Sequence, residues 1–186
     1  MTPQALKRLF TVDEFHRMGE AGVFQDDDRV ELLEGEIITM TPIGPRHASC
    51  VRRLIATLAP LVGADAILDV QNPLPLAAQT EPQPDVVLLK PRSDYYRDAH
   101  PGPSEVLLVI EVADSSADHD RAVKVPQYAR AGIAELWVVN LPERLIEVYR
   151  QPAAGEYAEH VAVGPGRTLR LPGLGHRQIV VDDVLV

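Results

Sequence analysis

The sequence predicts a mixed α/β (α+β) domain in which a mixed β-sheet is flanked by helices. Several short runs of branched aliphatic residues are almost continuously apolar, which is typical of central strands covered on both faces. These runs alternate with segments of helical periodicity, in the order helix, hairpin, helix, several strands, helix and further strands. The chain has 186 residues, 46% hydrophobic and 24% charged. This size and balance predict one globular domain over residues 1–186.

The first part of the chain is predicted to form a helix, a hairpin and a second helix. A capping-box pattern at Thr11 predicts a helix over residues 12–21. Residues 29–40 contain two short apolar segments and are predicted to form a hairpin that turns near Gly35, where a positive φ is easily adopted. Residues 47–62 carry apolar side chains at helical spacing and predict a second helix with one buried face.

The second part of the chain is predicted to supply the sheet. Strands are expected over residues 67–70, 84–89, 105–112 and 135–140, and a hairpin over residues 145–150 and 157–163. A helix is expected over residues 115–131, and Pro126 should kink or divide it. The polar loop 90–104 is long enough to be a lid or a specificity loop.

Composition and motifs exclude several classes of protein. A formal net charge of −9 argues against binding nucleic acid or membranes through bulk charge, although a local basic patch is still compatible with DNA binding. The single cysteine, Cys50, excludes an internal disulfide framework and a cysteine-based zinc site. The sequence contains neither a phosphate-binding loop nor a dinucleotide fingerprint nor a nucleophile elbow. Without a secretory or membrane-spanning stretch, a cytoplasmic protein with no membrane partner is expected.

Two carboxylates are candidate functional groups because they lie at the ends of apolar strands. Asp85 lies at the start of one strand and Glu111 near the end of the next, where an unpaired buried carboxylate is costly. If the strands are neighbours, the pair could hold Mg²⁺, with Lys124 from the following helix close by, an arrangement suited to phosphodiester hydrolysis. On spacing alone a simpler interpretation is supported as well as the metal site is. In it, Glu111 faces water at its strand end and Asp120 forms an ordinary i,i+4 pair with Lys124.

These residues also lie within longer blocks that resemble a known family. The blocks are ELLEGEIITM at 31–40, His47 at a helix start, EPQPDVV at 81–87, and VIEVADSSADHDRAVK at 109–124, continued by YARAGIAELWVVN at 128–140. In this order they resemble the Uma-two endonuclease family of the PD-(D/E)XK nuclease superfamily. The resemblance covers residues 11–183 and implies a restriction-endonuclease-like core.

The resemblance also implies roles for individual residues. Asp85, Glu111 and the carbonyl of Val112 would be ligands of Mg²⁺, with Mn²⁺ as a substitute, and Lys124 would be the catalytic lysine. The superfamily's basic motif has its lysine two residues after the acid, where this sequence has Ala113, so the lysine must come from the next helix.

Glu31 and His47 also match recurrent positions of the family and would extend the metal or water network. Each has a simpler explanation, a solvent-facing strand residue and a helix-start hydrogen bond, respectively. Gln71, Asp118 and Asp120 are weaker candidates for the same site.

The function predicted from these residues is a Mg²⁺-dependent endonuclease that hydrolyses DNA. Two alternatives remain open: a catalytically silent module that binds nucleic acid or protein, and a nuclease directed at RNA. Retention of both carboxylates and the lysine favours catalysis. A local DNA-binding patch would draw on Arg46, Arg52, Arg53, Lys90, Arg92, Arg97 and Arg121. Cutting both strands of a duplex would need two sites, so a homodimer is plausible, with the hairpin near residues 145–163 as its interface.

Overall fold

The N-terminal part folds into a helix, a hairpin and a long helix. The computed structural model describes residues 6–25, 27–114 and 120–185. Helix α1 spans Val12–Glu20, strands β1 and β2 span Val30–Leu33 and Glu36–Thr39, and helix α2 spans Pro45–Val62. The capping box at Thr11 is formed, as predicted. The hairpin turns at Glu34 and Gly35, which both have positive φ, the backbone shape that joins twisted antiparallel strands in a tight turn.

A six-stranded mixed sheet forms the centre of the structure. Its strands are β3 (Ile67–Val70), β4 (Val86–Leu89), β5 (Val106–Ala113), β6 (Glu135–Asn140), β7 (Leu145–Ala153) and β8 (Glu156–Val163). They lie in the order β3-β4-β5-β6-β7-β8. The β5–β6 pair is parallel and the other four pairs are antiparallel. The predicted mixed sheet is therefore confirmed.

Both faces of the central strands are buried. On one face, Ile110 and Trp137 pack with the apolar side of α2, and on the other, Val109 and Val138 pack with Tyr128. Every residue of β4 and β6 is buried, as the continuous apolar runs predict. A small hairpin follows the sheet and consists of β9 (Thr168–Arg170) and β10 (Gln178–Val180), with α4 (Val181–Val184) directly after it. These elements pack into the same part of the core as α2. No helix in the described ranges is long and apolar enough to cross a bilayer.

The helix that follows β5 is divided next to Pro126, as predicted. Residues Asp120–Lys124 form a π-helical turn, and helix α3 spans Val125–Arg130. Pro126 therefore lies in the first turn of α3, where a missing N–H breaks no helical hydrogen bond. Residues 115–119 of the predicted helix lie outside the described ranges.

The loop 90–104 does not cover the predicted site, so its interpretation as a lid is wrong. It leaves the carboxyl end of β4 and, through a short 3₁₀ turn at Pro103–Glu105, enters the start of β5. Asp85 lies before the first residue of β4, about 17 Å of extended chain from Lys90. The loop and the predicted site therefore lie at opposite ends of the same two strands.

Candidate active site

A cleft of about 250 Å³ opens where β4 begins and β5 ends. Its walls come from the β1–β2 hairpin, the segment leading into α2, and the end of the π-helical turn. The charged and titratable lining residues are Arg29, Glu31, His47, Asp85, Glu111, Asp114 and Lys124. All five side chains predicted as catalytic therefore line one cleft, although they are spread over 94 positions of the sequence.

The sheet register places the two strand-end carboxylates side by side. Val86 pairs with Ile110, so one further step of the antiparallel register sets Asp85 opposite Glu111. The backbone N–H of Val112 donates to Oδ2 of Asp85 at 2.9 Å. Asp85 is 7% exposed and Glu111 is 4% exposed, so neither carboxylate is simply solvated at a strand end.

Asp85 is held by donors from three directions. Besides Val112, Nε2 of His47 lies 2.9 Å from Oδ2, and Nε2 of Gln71 donates to Oδ1 at 3.1 Å. The backbone N–H of Gln71, a residue with a φ of 53°, also donates to the carbonyl of Asp85 at 3.2 Å. Gln71, a weak candidate from the sequence, thus anchors both the side chain and the main chain of Asp85.

His47 is bound to this carboxylate from the first turn of α2. Burial lowers the pKa of His47, but the hydrogen bond and negative charge of Asp85, together with the charge of Glu111, outweigh it and raise the pKa overall. The positive charge of Arg29 acts in the opposite direction. Nδ1 of His47 is buried and has no hydrogen-bond partner among the described residues.

Lys124 bridges two carboxylates of the cleft. Its Nζ lies 3.2 Å from Oε2 of Glu31 and 3.4 Å from Oε1 of Glu111. Lys124 and Glu31 are both buried, so Glu31 is not the solvent-facing strand residue of the simpler explanation. Oε2 of Glu31 also accepts from the backbone N–H of Gln83 at 3.2 Å. The π-helical turn places this lysine at the strand end that bears Glu111.

Tyr128 belongs to the same cluster, although the sequence analysis did not identify it. Its hydroxyl donates to Oε1 of Glu111 at 2.7 Å, and its side chain is fully buried. Burial, followed by the negative charge of Glu111, raises the pKa of Tyr128 well above its ordinary value, so the hydroxyl remains a donor. Its position four residues after Lys124, one helical turn further on, was the available signal.

The oxygen ligands of the cleft fit a divalent cation such as Mg²⁺. The carboxylates of Glu31, Asp85 and Glu111 are buried in the cleft, and Lys124 is paired with those of Glu31 and Glu111. A bound cation would offset this buried negative charge. No three Asp, Glu, His or Cys side chains in the described ranges converge closely enough to form a complete cage. Mg²⁺ needs no such cage, since it binds through one or two carboxylates and retains several waters.

The main chain of Val112 is oriented to add a third oxygen. Within a strand, the N–H and C=O of one residue point to the same side. Because the N–H of Val112 faces Asp85, the carbonyl of Val112 faces the same side of β5. At this point the ladder with β4, which starts at Val86, has already ended.

Few of the basic residues predicted for DNA binding lie at the cleft. Arg46 lies beside His47 and forms an ion pair of 3.2 Å with Asp114, which lines the cleft. Lys90, Arg92 and Arg97 belong to the loop at the far end of the strands. Asp118 lies outside the described ranges, and the side chains of Asp120 and Arg121 are not described.

Comparison with known proteins decides the family. The model of the Uma2 family, described as "Putative restriction endonuclease", matches residues 12–182. This chain belongs to the Uma2 family. The family predicted from the four sequence blocks is thereby confirmed.

A solved structure supports the fold of this Uma2 protein. A protein described as a "putative nuclease belonging to DUF820" from Anabaena variabilis superposes with a TM-score of 0.71 and 16% sequence identity. The match covers 94% of this chain and 97% of that one, which confirms the restriction-endonuclease-like fold. The comparison with curated proteins returns no match.

Proposed function

We propose that this Uma2 protein is a Mg²⁺-dependent endonuclease that hydrolyses DNA phosphodiester bonds. One observation carries the proposal: Asp85, Glu111 and Lys124 meet in one cleft at the adjoining ends of β4 and β5. The simpler explanations leave this convergence unaccounted for, because burying the carboxylates of Glu31, Asp85 and Glu111 in one cleft costs folding free energy.

Asp85, Glu111 and the carbonyl of Val112 would hold the ion. Bound Mg²⁺ would neutralise charge on the scissile phosphate and lower the pKa of water. Lys124 supplies a buried cation next to Glu111, where it orients the attacking water and stabilises negative charge that develops on the phosphate. These roles need a fixed geometry, and the surrounding contacts provide it.

Glu31 and His47 act on these residues as positioning groups. Glu31 holds the ammonium of Lys124 at 3.2 Å and is itself fixed by the N–H of Gln83. His47 holds Oδ2 of Asp85 from the side of α2, which directs the carboxylate into the cleft. Without the contact from Glu31 or from His47, Lys124 or Asp85, respectively, would remain in the cleft but in the wrong orientation, which would slow catalysis.

Cleavage of a nucleic acid panel tests the proposal. Wild-type protein is incubated with supercoiled plasmid and with labelled single- and double-stranded DNA and RNA, in Mg²⁺, Mn²⁺ or chelator. Glu111→Gln should abolish cleavage. The control is Glu135→Gln, which also removes a buried carboxylate, one that is paired with Arg150. This variant should retain cleavage if it folds.

Each outcome separates the candidate functions. Metal-dependent cutting of DNA that Glu111→Gln abolishes supports the proposal, and cutting of RNA alone would replace the substrate. Binding without cutting by folded wild-type protein would favour a silent binding module. Linear product formed directly from plasmid, with a dimer in sedimentation, would support the proposed homodimer.

A further inference from the structure

We propose that Arg29 forms a phosphate-binding subsite in the wall of the cleft, where it contacts a backbone phosphate beside the one that is cut. The inference rests on the proposed nuclease function and identifies a residue that recognises the nucleic acid strand. The sequence did not single out Arg29, since it lies outside the predicted basic patch.

The hairpin holds Arg29 in a fixed position. Its carbonyl accepts from the N–H of Met40 at 2.8 Å, directly beyond the Val30–Thr39 pair that begins the β1–β2 ladder. Its half-buried side chain reaches back across the hairpin, where Nη1 lies 3.5 Å from the carbonyl of Thr41. The hairpin ladder therefore fixes the main chain of Arg29, and the side chain lines the cleft from that position.

The charge of Arg29 is not neutralised in the way that the other cleft cations are. Lys124 lies between two carboxylates, and His47 is bound to Asp85. At the rim, Arg46 is paired with Asp114. In the ranges that the structure describes, Arg29 forms an ion pair with no carboxylate, and its side chain makes one hydrogen bond, the long one to the carbonyl of Thr41.

A guanidinium with unused donors next to this cleft points to an anionic ligand. Arginine presents five N–H groups in a planar fork that matches phosphate oxygens. The protein carries a net charge of −9, and acidic residues form the floor of the cleft, so a nucleic acid strand meets repulsion unless local cations offset it. Arg29 lines the same cleft as Asp85 and Glu111, which places it within reach of a strand bound at those carboxylates.

Salt-dependent binding tests the subsite. Affinity for the nucleic acid that wild type cuts is measured against salt concentration in a Glu111→Gln background, which prevents cleavage. Adding Arg29→Ala should weaken binding about tenfold and reduce the slope of log K against log salt by about 0.9 for duplex, or about 0.7 for single strands. Arg29→Lys, which keeps the charge without the fork, should recover part of the affinity.

Two controls separate a phosphate contact from general charge. Arg170→Ala removes the same charge from the exposed face of β9, outside the cleft, and should change binding far less. The second control uses substrates in which one phosphate is replaced by a neutral methylphosphonate, at each position of the strand in turn. At one position near the cut, the replacement should weaken binding to the Glu111→Gln parent, which retains Arg29, but not binding to the variant that also carries Arg29→Ala. Melting temperatures confirm that each variant is folded.

The outcomes distinguish this inference from the proposed function. If wild type cuts nucleic acid while Arg29→Ala and Arg170→Ala have the same affinity and salt slope, the subsite is refuted and the nuclease stands. The subsite is also refuted if Arg29→Ala weakens binding but each methylphosphonate position still affects the affinity of Arg29→Ala as much as it affects the affinity of its parent. If neither wild type nor the background variant binds any nucleic acid, the proposed function fails and the subsite fails with it.

Discussion

Replacement of Tyr128 by Phe should weaken metal binding without unfolding the protein. The change removes one hydroxyl, which donates to Oε1 of Glu111 at 2.7 Å in a fully buried position. A hydrogen bond to a charged acceptor is worth about 1.5–3 kcal/mol. Removing a group that orients a ligand costs about 10–100-fold in metal affinity, which corresponds to about 1.4–2.7 kcal/mol. The two ranges agree in size.

Tyr157 provides a matched control. Its hydroxyl donates to the carbonyl of Ile133 at 2.8 Å, and burial raises its pKa as well, but it does not touch the cleft. Tyr157→Phe should cost about 0.5–1.5 kcal/mol of unfolding free energy and leave metal affinity unchanged. Mn²⁺ affinity is measured by titration calorimetry and stability by urea unfolding.

The comparison of the two variants decides whether Tyr128 positions Glu111. A metal affinity of Tyr128→Phe equal to that of wild type would show that Tyr128 does not position Glu111, and so would an equal loss in both variants. A loss confined to Tyr128→Phe supports it. A merely structural role of the hydroxyl would change stability alone.

Two further predictions concern the buried framework of the site. Burial, with the charge of Asp85, raises the pKa of Cys50 to about 12 from 9.0, so the folded state holds the thiol proton more tightly. This contribution to stability is complete below pH 9 and is lost as the pH rises toward 12. The unfolding free energy of wild type should therefore fall faster between pH 9 and 12 than that of Cys50→Ala, by up to about 1.4 kcal/mol per pH unit. Urea titrations at several pH values measure this difference. A β-carbon at Gly35 (φ 80°) would lie 2.6 Å from Cβ of Leu9, whereas one at Gly132 (φ 76°) meets nothing within 4 Å. Gly132→Ala should thus cost about 1–2 kcal/mol in urea unfolding and Gly35→Ala clearly more, and equal losses would show that the contact with Leu9 relaxes freely.

The parts of the fold that follow from local pattern could be predicted from the sequence. Nearly continuous apolar runs identify β4, β5 and β6, because strands buried on both faces leave few polar positions. The positions of Asp85 and Glu111 at strand ends follow from the same runs. Their adjacency depends on strand order, which the resemblance to a family supplied and the residues alone did not.

Contacts between distant segments could not be predicted in this way. Gln71 and Tyr128 reach the two carboxylates from different elements. The sequence marked Gln71 only as a weak candidate, and the helical spacing of Tyr128 from Lys124 does not by itself name Glu111 as its partner. The loop 90–104 has the composition of a lid, but its location depends on the direction of β4. The loop leaves the end of β4, whereas Asp85 precedes the start of that strand, so the loop lies away from the site.

Anomalous scattering from Mn²⁺ would show directly whether Asp85 and Glu111 together hold the catalytic ion. Crystals of the wild type and of Asp85→Asn are soaked in Mn²⁺ and measured at the manganese edge. We expect a peak within coordination distance of the Asp85 and Glu111 carboxylates and of the carbonyl of Val112, strongly reduced in Asp85→Asn. A peak elsewhere in the cleft, or one of equal strength in both crystals, would contradict this expectation.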